Sequence, residues 1–228
     1  MRLGLCLASG ICALFTLALP AAGAEEKPNV LILFCDDTGW AEFGFQGNKQ
    51  IPTPNIDSIA KNGVRFTQGY VAATYCSPSR AGLLTGRYPT RFGHEFNSIS
   101  RESGLSLEET TLAERLKSLG YATCAVGKWH LGQKPPYRPT ARGFDEFFGT
   151  LANTSFYHPT QFIDSRESTE PTPRLEDPEF YTTDAYAERA VDWLGKQTDK
   201  PWKGNPEKEQ RNDITKIDLE KWHRTKTH

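Results

Sequence analysis

The chain has 228 residues, 37% of them hydrophobic and 24% charged, with a formal net charge of -1 at pH 7. That length and apolar content suffice for one ordinary globular core. The near-neutral balance carries no electrostatic footprint for nucleic acid, so no nucleic-acid partner is expected.

The N-terminus places Arg2 before an apolar stretch from Leu3 to Leu19 and reaches Ala22-Gly23-Ala24 ahead of Glu25. This layout predicts a cleaved secretory signal over residues 1–24, a secreted or periplasmic product, and no membrane partner after cleavage. Cys6 and Cys12 leave with the signal, and Cys35, Cys76 and Cys124 remain. An odd number of cysteines in an exported chain points to an external partner or to special chemistry. Cys35 and Cys124 lie in apolar segments and read as small buried residues.

Residues 29–37, NVLILFCDD, form an apolar run closed by two carboxylates, which predicts a strand buried on both faces with Asp36 and Asp37 at its carboxyl end. In open α/β sheets ligands bind at that edge. A short helix is expected from Asn55 to Gly63, then a second strand within GVRFTQGYVAA. Thr111 and Glu114 have capping-box spacing, Leu112, Leu116 and Leu119 share one face, and Gly120 follows as a stop, so a helix is predicted there. YATCAVGKW reads as the next buried strand. Residues 133–180, rich in Pro, Arg and aromatics, read as long loops, and a helix returns from Thr182 to Gln197 with Tyr186, Ala190, Val191 and Leu194 on one face. The alternation of strand and helix predicts an α/β fold, a mostly parallel sheet sandwiched by helices. One domain is expected over residues 25–202. Twelve of the 26 residues in 203–228 are charged, which marks a solvated tail.

The segment CSPSRAGLLTGR, residues 76–87, places Ser77 as a cap and Pro78 at the first helical position, with Cys76 just outside a helix N-terminus that favours anions. Arg80 falls near enough to pair with such an anion, Gly82 permits close approach of a neighbour, and Thr85-Gly86 ends the helix. On these residues alone, Cys76 is either a thiol of lowered pKa or a packed side chain.

All twelve residues resemble the signature of the type I sulfatases, members of the alkaline phosphatase superfamily. Gly120-Tyr121 with Gly127-Lys128-Trp129-His130-Leu131-Gly132 is similar to that family's second signature, and Asp36-Asp37 resembles its metal-binding start. The resemblance implies that a separate formylglycine-generating enzyme oxidises Cys76 to formylglycine. One hydroxyl of the hydrated aldehyde attacks sulfur and displaces an alcohol, and deprotonation of the other then expels sulfate. It further implies Asp36, Asp37 and the modified Cys76 as ligands of Ca²⁺, or Mg²⁺, and Arg80 and Lys128 as cations on the hydrated aldehyde and sulfate. His130 would hydrogen-bond the nucleophile or assist breakdown of the hemiacetal. His94, Glu95 and Asn97 are candidate substrate-pocket residues, and the implied substrate is a sulfated small molecule or carbohydrate.

Members of the family are considerably longer, and the later metal ligands and second lysine have no counterpart here. The expectation is a sulfuric ester hydrolase impaired by truncation. Two readings stay open beside it: a phosphodiester or phosphonate-ester hydrolase of the same superfamily, and an inactive truncation product.

Overall fold

The computed structural model describes residues 27–172 and 178–197. The signal segment 1–24 and the charged tail 203–228 lie outside the described residues. No helix among the described residues is long and apolar enough to cross a membrane.

The chain divides into two compact units, the first ending at Cys35 and the second beginning at Asp36. In the first, residues 29–35 form no strand, and Val30 through Phe34 are exposed, as is Cys35. This corrects the expected first strand and the expected burial of Cys35. An apolar run predicts burial, but a strand also requires a partner to complete its ladder, and apolar composition does not supply one.

The second unit opens with a 3₁₀ turn, Gly44–Gln46, and helix α1, Pro54–Asn62. Pro54 sits at the first helical position, where its missing N–H costs nothing. Asp57 accepts from Phe45 N at 2.7 Å and from Thr53 Oγ1 at 2.9 Å, tying the turn to the helix. The strand expected within GVRFTQGYVAA is absent: these residues form irregular chain broken by a turn at 67–68, with Val64, Phe66 and Tyr70 exposed.

Helix α2 spans Cys76–Thr85 and α3 spans Ile99–Glu102. Helix α4, Leu112–Ser118, begins with the expected capping box: Glu114 N donates to Thr111 Oγ1 at 3.1 Å, and Thr111 N donates to Glu114 Oε2 at 2.7 Å. Gly120, with φ 85°, closes it by donating its N–H to Lys117 O at 2.9 Å. Leu119, expected on the apolar face, is exposed.

The sheet has three strands in the order β1 (Cys124–Lys128), β2 (Glu146–Thr150) and β3 (Phe162–Asp164). β1 and β2 are parallel, whereas β2 and β3 are antiparallel, giving a small mixed sheet. β2 and β3 lie where sequence reading expected only loops. Gly127 pairs with Gly149, and a Cβ on Gly149 would sit 1.9 Å from Gly127 O, so only glycine lets these strands approach. Ala81, Leu105, Trp129, Leu131, Phe147, Leu151 and Ile163 form the core. Helix α5, Thr182–Gln197, packs on the sheet through Tyr186, edge-on to Phe148 at 6.2 Å, and through Arg189, whose guanidinium lies 4.0 Å from the Phe148 ring centroid. Val191, expected on the buried face, is exposed.

Candidate active site

Helix α2 starts two residues earlier than expected. Tyr75 precedes the first turn, Ser79 N donates to Tyr75 O at 3.2 Å, and Cys76 is the first helical residue. Pro78 is third, still within the turn whose N–H groups have no intrahelical acceptor, so its ring is tolerated there. Ser77 is therefore not the cap but an anchor. Its N–H donates to Asn97 Oδ1 at 2.9 Å, and its fully buried hydroxyl donates to His130 O at 2.7 Å. With the hydroxyl proton so placed, His94 Nε2–H donates to Ser77 Oγ at 2.7 Å. Gly82 brings the helix against its neighbour: a Cβ there would meet Ala72 Cβ at 2.7 Å.

These anchors fix Cys76 at the rim. Cys76 Sγ lies 3.7 Å from Asp37 Oδ1, and one ligand atom each of Asp36, Asp37 and Cys76 falls within 4.8 Å of the others. Asp37 has a left-handed backbone, φ 52°, which turns the chain at this point. Arg80 Nη2 pairs with Asp36 Oδ1 at 3.0 Å and Arg80 Nη1 donates to Lys128 O. Lys128, the last residue of β1, pairs its ammonium with Asp36 Oδ2 and donates to Asn153 Oδ1 at 2.9 Å. The parallel pairing continues past β1, with Trp129 N on Thr150 O and His130 N on Leu151 O, and it delivers Lys128 and His130 to the carboxyl end of the strand.

Burial pushes the Asp36 carboxyl up, but hydrogen bonds and charge from Lys128 and Arg80 more than offset this and hold it below the usual carboxylate range. Asp36 is thus an anion at neutral pH. His130 is pushed down to about 4, first by burial and then by the charges of Lys128 and Arg80, so its imidazole is neutral. His130 Nδ1 is buried with no hydrogen-bond partner among the described residues. His94 is pushed down to about 4 by burial.

Of the residues singled out from sequence, Asp36, Asp37, Cys76, Arg80 and Lys128 converge. His130 lies beside them through its carbonyl contact with Ser77 and lines a neighbouring cleft. His94 and Asn97 hold the first turn of α2, whereas Glu95 is exposed and offers its carbonyl to Tyr75 Oη at 2.7 Å. Sequence reasoning missed Ser77 as an anchor and Asn153 as a partner of Lys128. Asn153 follows β2 by three residues, so recognising Glu146–Thr150 as a strand would have placed it at the same sheet edge.

The donor set suits a hard dication on charge, with two carboxylates and no histidine, but a thiol is a soft third donor. An oxygen at position 76 removes that mismatch.

The Sulfatase family model matches residues 28–203. N-acetylgalactosamine-6-sulfatase of Canis lupus familiaris is 45% identical over 141 residues, covering 58% of this chain and 27% of that protein. Arylsulfatase G of the same species is 48% identical over 126 residues, covering 54% and 23%. The chain thus spans about a quarter of the length of these curated relatives. Among solved structures, Ps i-CgsB matches with a TM-score of 0.67 and 35% identity over 75% of this chain and 42% of that one. BT4656 in complex with its substrate D-glucosamine-2-N,6-O-disulfate matches with a TM-score of 0.62 and 28% identity over 75% and 31%. With residues 28–203 matched, the chain belongs to the sulfatase family of hydrolases.

Proposed function

We propose that this chain carries a sulfate-ester hydrolase site acting on a sulfated carbohydrate, with Cys76 as the position converted to formylglycine and Asp36, Asp37 and the converted residue holding Ca²⁺ or Mg²⁺. The observation that carries the reading is the gathering of Asp36, Asp37 and Cys76 within 4.8 Å under Arg80 and Lys128. The carbohydrate class is supported by relatives named N-acetylgalactosamine-6-sulfatase and by neighbours solved with D-glucosamine-2-N,6-O-disulfate and with k-i-k-neocarrahexaose. Export rests on the signal-like residues 1–24.

Each residue has a task that follows from its surroundings. A bound dication would supply positive field and lower the pKa of a hydroxyl at position 76. Ser77, locked by His94, Asn97 and the His130 carbonyl, holds the backbone of the helix start from which residue 76 projects. Arg80 and Lys128 keep Asp36 ionised and place two cations where negative charge on sulfate oxygens grows. His130, neutral and with Nδ1 unpartnered, can accept a proton or a hydrogen bond at neutral pH.

The test is expression of the full chain alongside a formylglycine-generating enzyme, then peptide mass spectrometry and aryl-sulfate hydrolysis. An aldehyde at position 76 and metal-dependent turnover, weak beside that of a control sulfatase and abolished by Cys76→Ala, are expected. An unmodified thiol, in cells that mature a control sulfatase, would overturn the reading.

A further inference from the structure

Beside the converged carboxylates lies an open cleft of about 240 Å³, lined by Asn97, Ser98, Arg101, His130 and Asn153. Its contents differ from those of the rim. Arg80 and Lys128 are both compensated by Asp36, whereas no carboxylate among the described residues lines the cleft. Arg101 has no ion-pair partner among the described residues. Asn97 and Asn153 each use the carboxamide oxygen internally, accepting from Ser77 N and Lys128 Nζ, and both leave an NH₂ group with no acceptor among the described residues. The cleft therefore offers hydrogen-bond donors and one uncompensated guanidinium, the combination that receives a carboxylate or sulfate group. Its volume is below the ~300–1,000 Å³ of pockets that enclose a drug-sized ligand, so it fits one substituted sugar unit rather than an oligosaccharide.

We propose that this cleft is a second anion subsite, in which Arg101, assisted by Asn97 and Asn153, binds an additional carboxylate or sulfate on the sugar whose sulfate ester is cleaved. The inference rests on the sulfate-ester reading above and narrows it: the preferred substrates carry at least two negative groups. His130 and Asn153 join the two sites, since His130 lines the cleft and Asn153 holds Lys128.

The experiment is calorimetric titration of the full chain carrying Cys76→Ala, which binds without turnover. Three probes are compared: N-acetylglucosamine 6-sulfate, glucosamine 2-N,6-O-disulfate, and a 6-sulfated N-acetylhexosamine joined to a uronate. Either added anion is expected to tighten binding roughly tenfold, the worth of one charge-assisted contact. Arg101→Gln should erase that advantage while changing affinity for the singly sulfated sugar by less than about twofold. Lys61→Gln, on α1, should leave every affinity unchanged, separating a local contact from general charge attraction. An advantage for only one of the two doubly charged probes assigns the subsite to sulfate or to carboxylate. Equal affinities for all three sugars, or an advantage that survives Arg101→Gln, overturn the subsite and leave the sulfate-ester reading standing. Failure of all three to bind overturns the subsite, and, where the matured chain with residue 76 intact also binds none of them, the sulfate-ester reading with it.

Discussion

Two arginines in this fold face opposite ways. Arg142, at the end of a 3₁₀ turn over Pro139–Arg142, is 2% exposed and directs its guanidinium at the chain itself: Nε donates to Glu114 Oε1 at 3.0 Å, Nη1 to Leu105 O at 3.0 Å and Nη2 to Glu109 O. Its own carbonyl accepts from Thr111 Oγ1 at 2.9 Å, and Arg87 pairs with Glu109. Arg80 lies on α2 with a side chain 12% exposed, and it shares its carboxylate partner, Asp36, with Lys128 at a rim where Asp36 is 38% exposed. The first arrangement fills a buried charge with acceptors and joins α4 to the core. The second uses one donor on the Lys128 carbonyl and otherwise concentrates cations around one partly exposed carboxylate, a field available to a ligand. Burial and the identity of the acceptors, rather than residue type, separate an arginine that builds from one that acts.

Substitution of each arginine is the sharpest way to break that contrast. Arg142→Met strips Glu114 and two carbonyls of their partner, and about 3 kcal/mol of stability should be lost in urea unfolding, with a lowered midpoint. Arg80→Ala should cost less, about 1–2 kcal/mol: Lys128 O loses its donor, but Asp36 keeps Lys128 and is partly solvated. Aryl-sulfate turnover by the matured chain should nevertheless fall roughly a hundredfold or more on loss of Arg80. Equal unfolding midpoints for the two variants would erase the distinction between hub and rim.

The hub and the rim also differed in how much of them could be read from sequence. Helix α4 was legible because Thr111, Glu114 and Gly120 encode a start and a stop within a few residues. The convergence of Asp36, Cys76 and Lys128 was foreseen only through the family resemblance, since no local rule brings residues so far apart in the chain to one point. Pro78 alone does not locate the start of α2: any position in the first turn tolerates its missing N–H, and it stands third rather than first. Strand β2, with Phe147 and Phe148 between Gly143 and Gly149, was lost among Pro and Arg residues. A five-residue strand shows its identity through its partner, β1, rather than through its own periodicity. Residues 29–35 failed in the opposite direction, having strand composition and no strand. Arg142 and Arg101 carry no local signal that tells them apart; burial does.

Acid sharpens the comparison at the anchors between the two regions. His94 is 2% exposed and pushed down to about 4 by burial, against about 6.5 in an unfolded chain. Between those values the unfolded state binds the proton more readily, so stability falls as pH falls. At pH 5 the loss from His94 is about 2 kcal/mol relative to pH 7.5, and His130, also pushed down to about 4, adds to it. Urea midpoints measured from pH 7.5 to 4 should drop steadily, and His94→Gln should flatten the slope without abolishing it. A midpoint that rose on acidification would contradict the buried, neutral state of these rings.

The smallest effect tests whether the hub is built by hydrogen bonds or by packing alone. Thr111 is fully buried; its hydroxyl accepts from Glu114 N at 3.1 Å and donates to Arg142 O at 2.9 Å, so one oxygen caps α4 and closes the Arg142 network. Thr111→Ala removes both bonds and should cost about 1 kcal/mol, whereas Thr111→Ser keeps the hydroxyl and should cost about half as much, through the lost methyl group. Neither change touches Asp36, Asp37 or residue 76, so Ca²⁺ titration of the two variants should match the parent. If serine and alanine destabilise equally, the methyl contact holds this corner and the cap is incidental. If Ca²⁺ affinity shifts in the alanine variant, hub and rim are coupled, and the separation drawn from the two arginines fails.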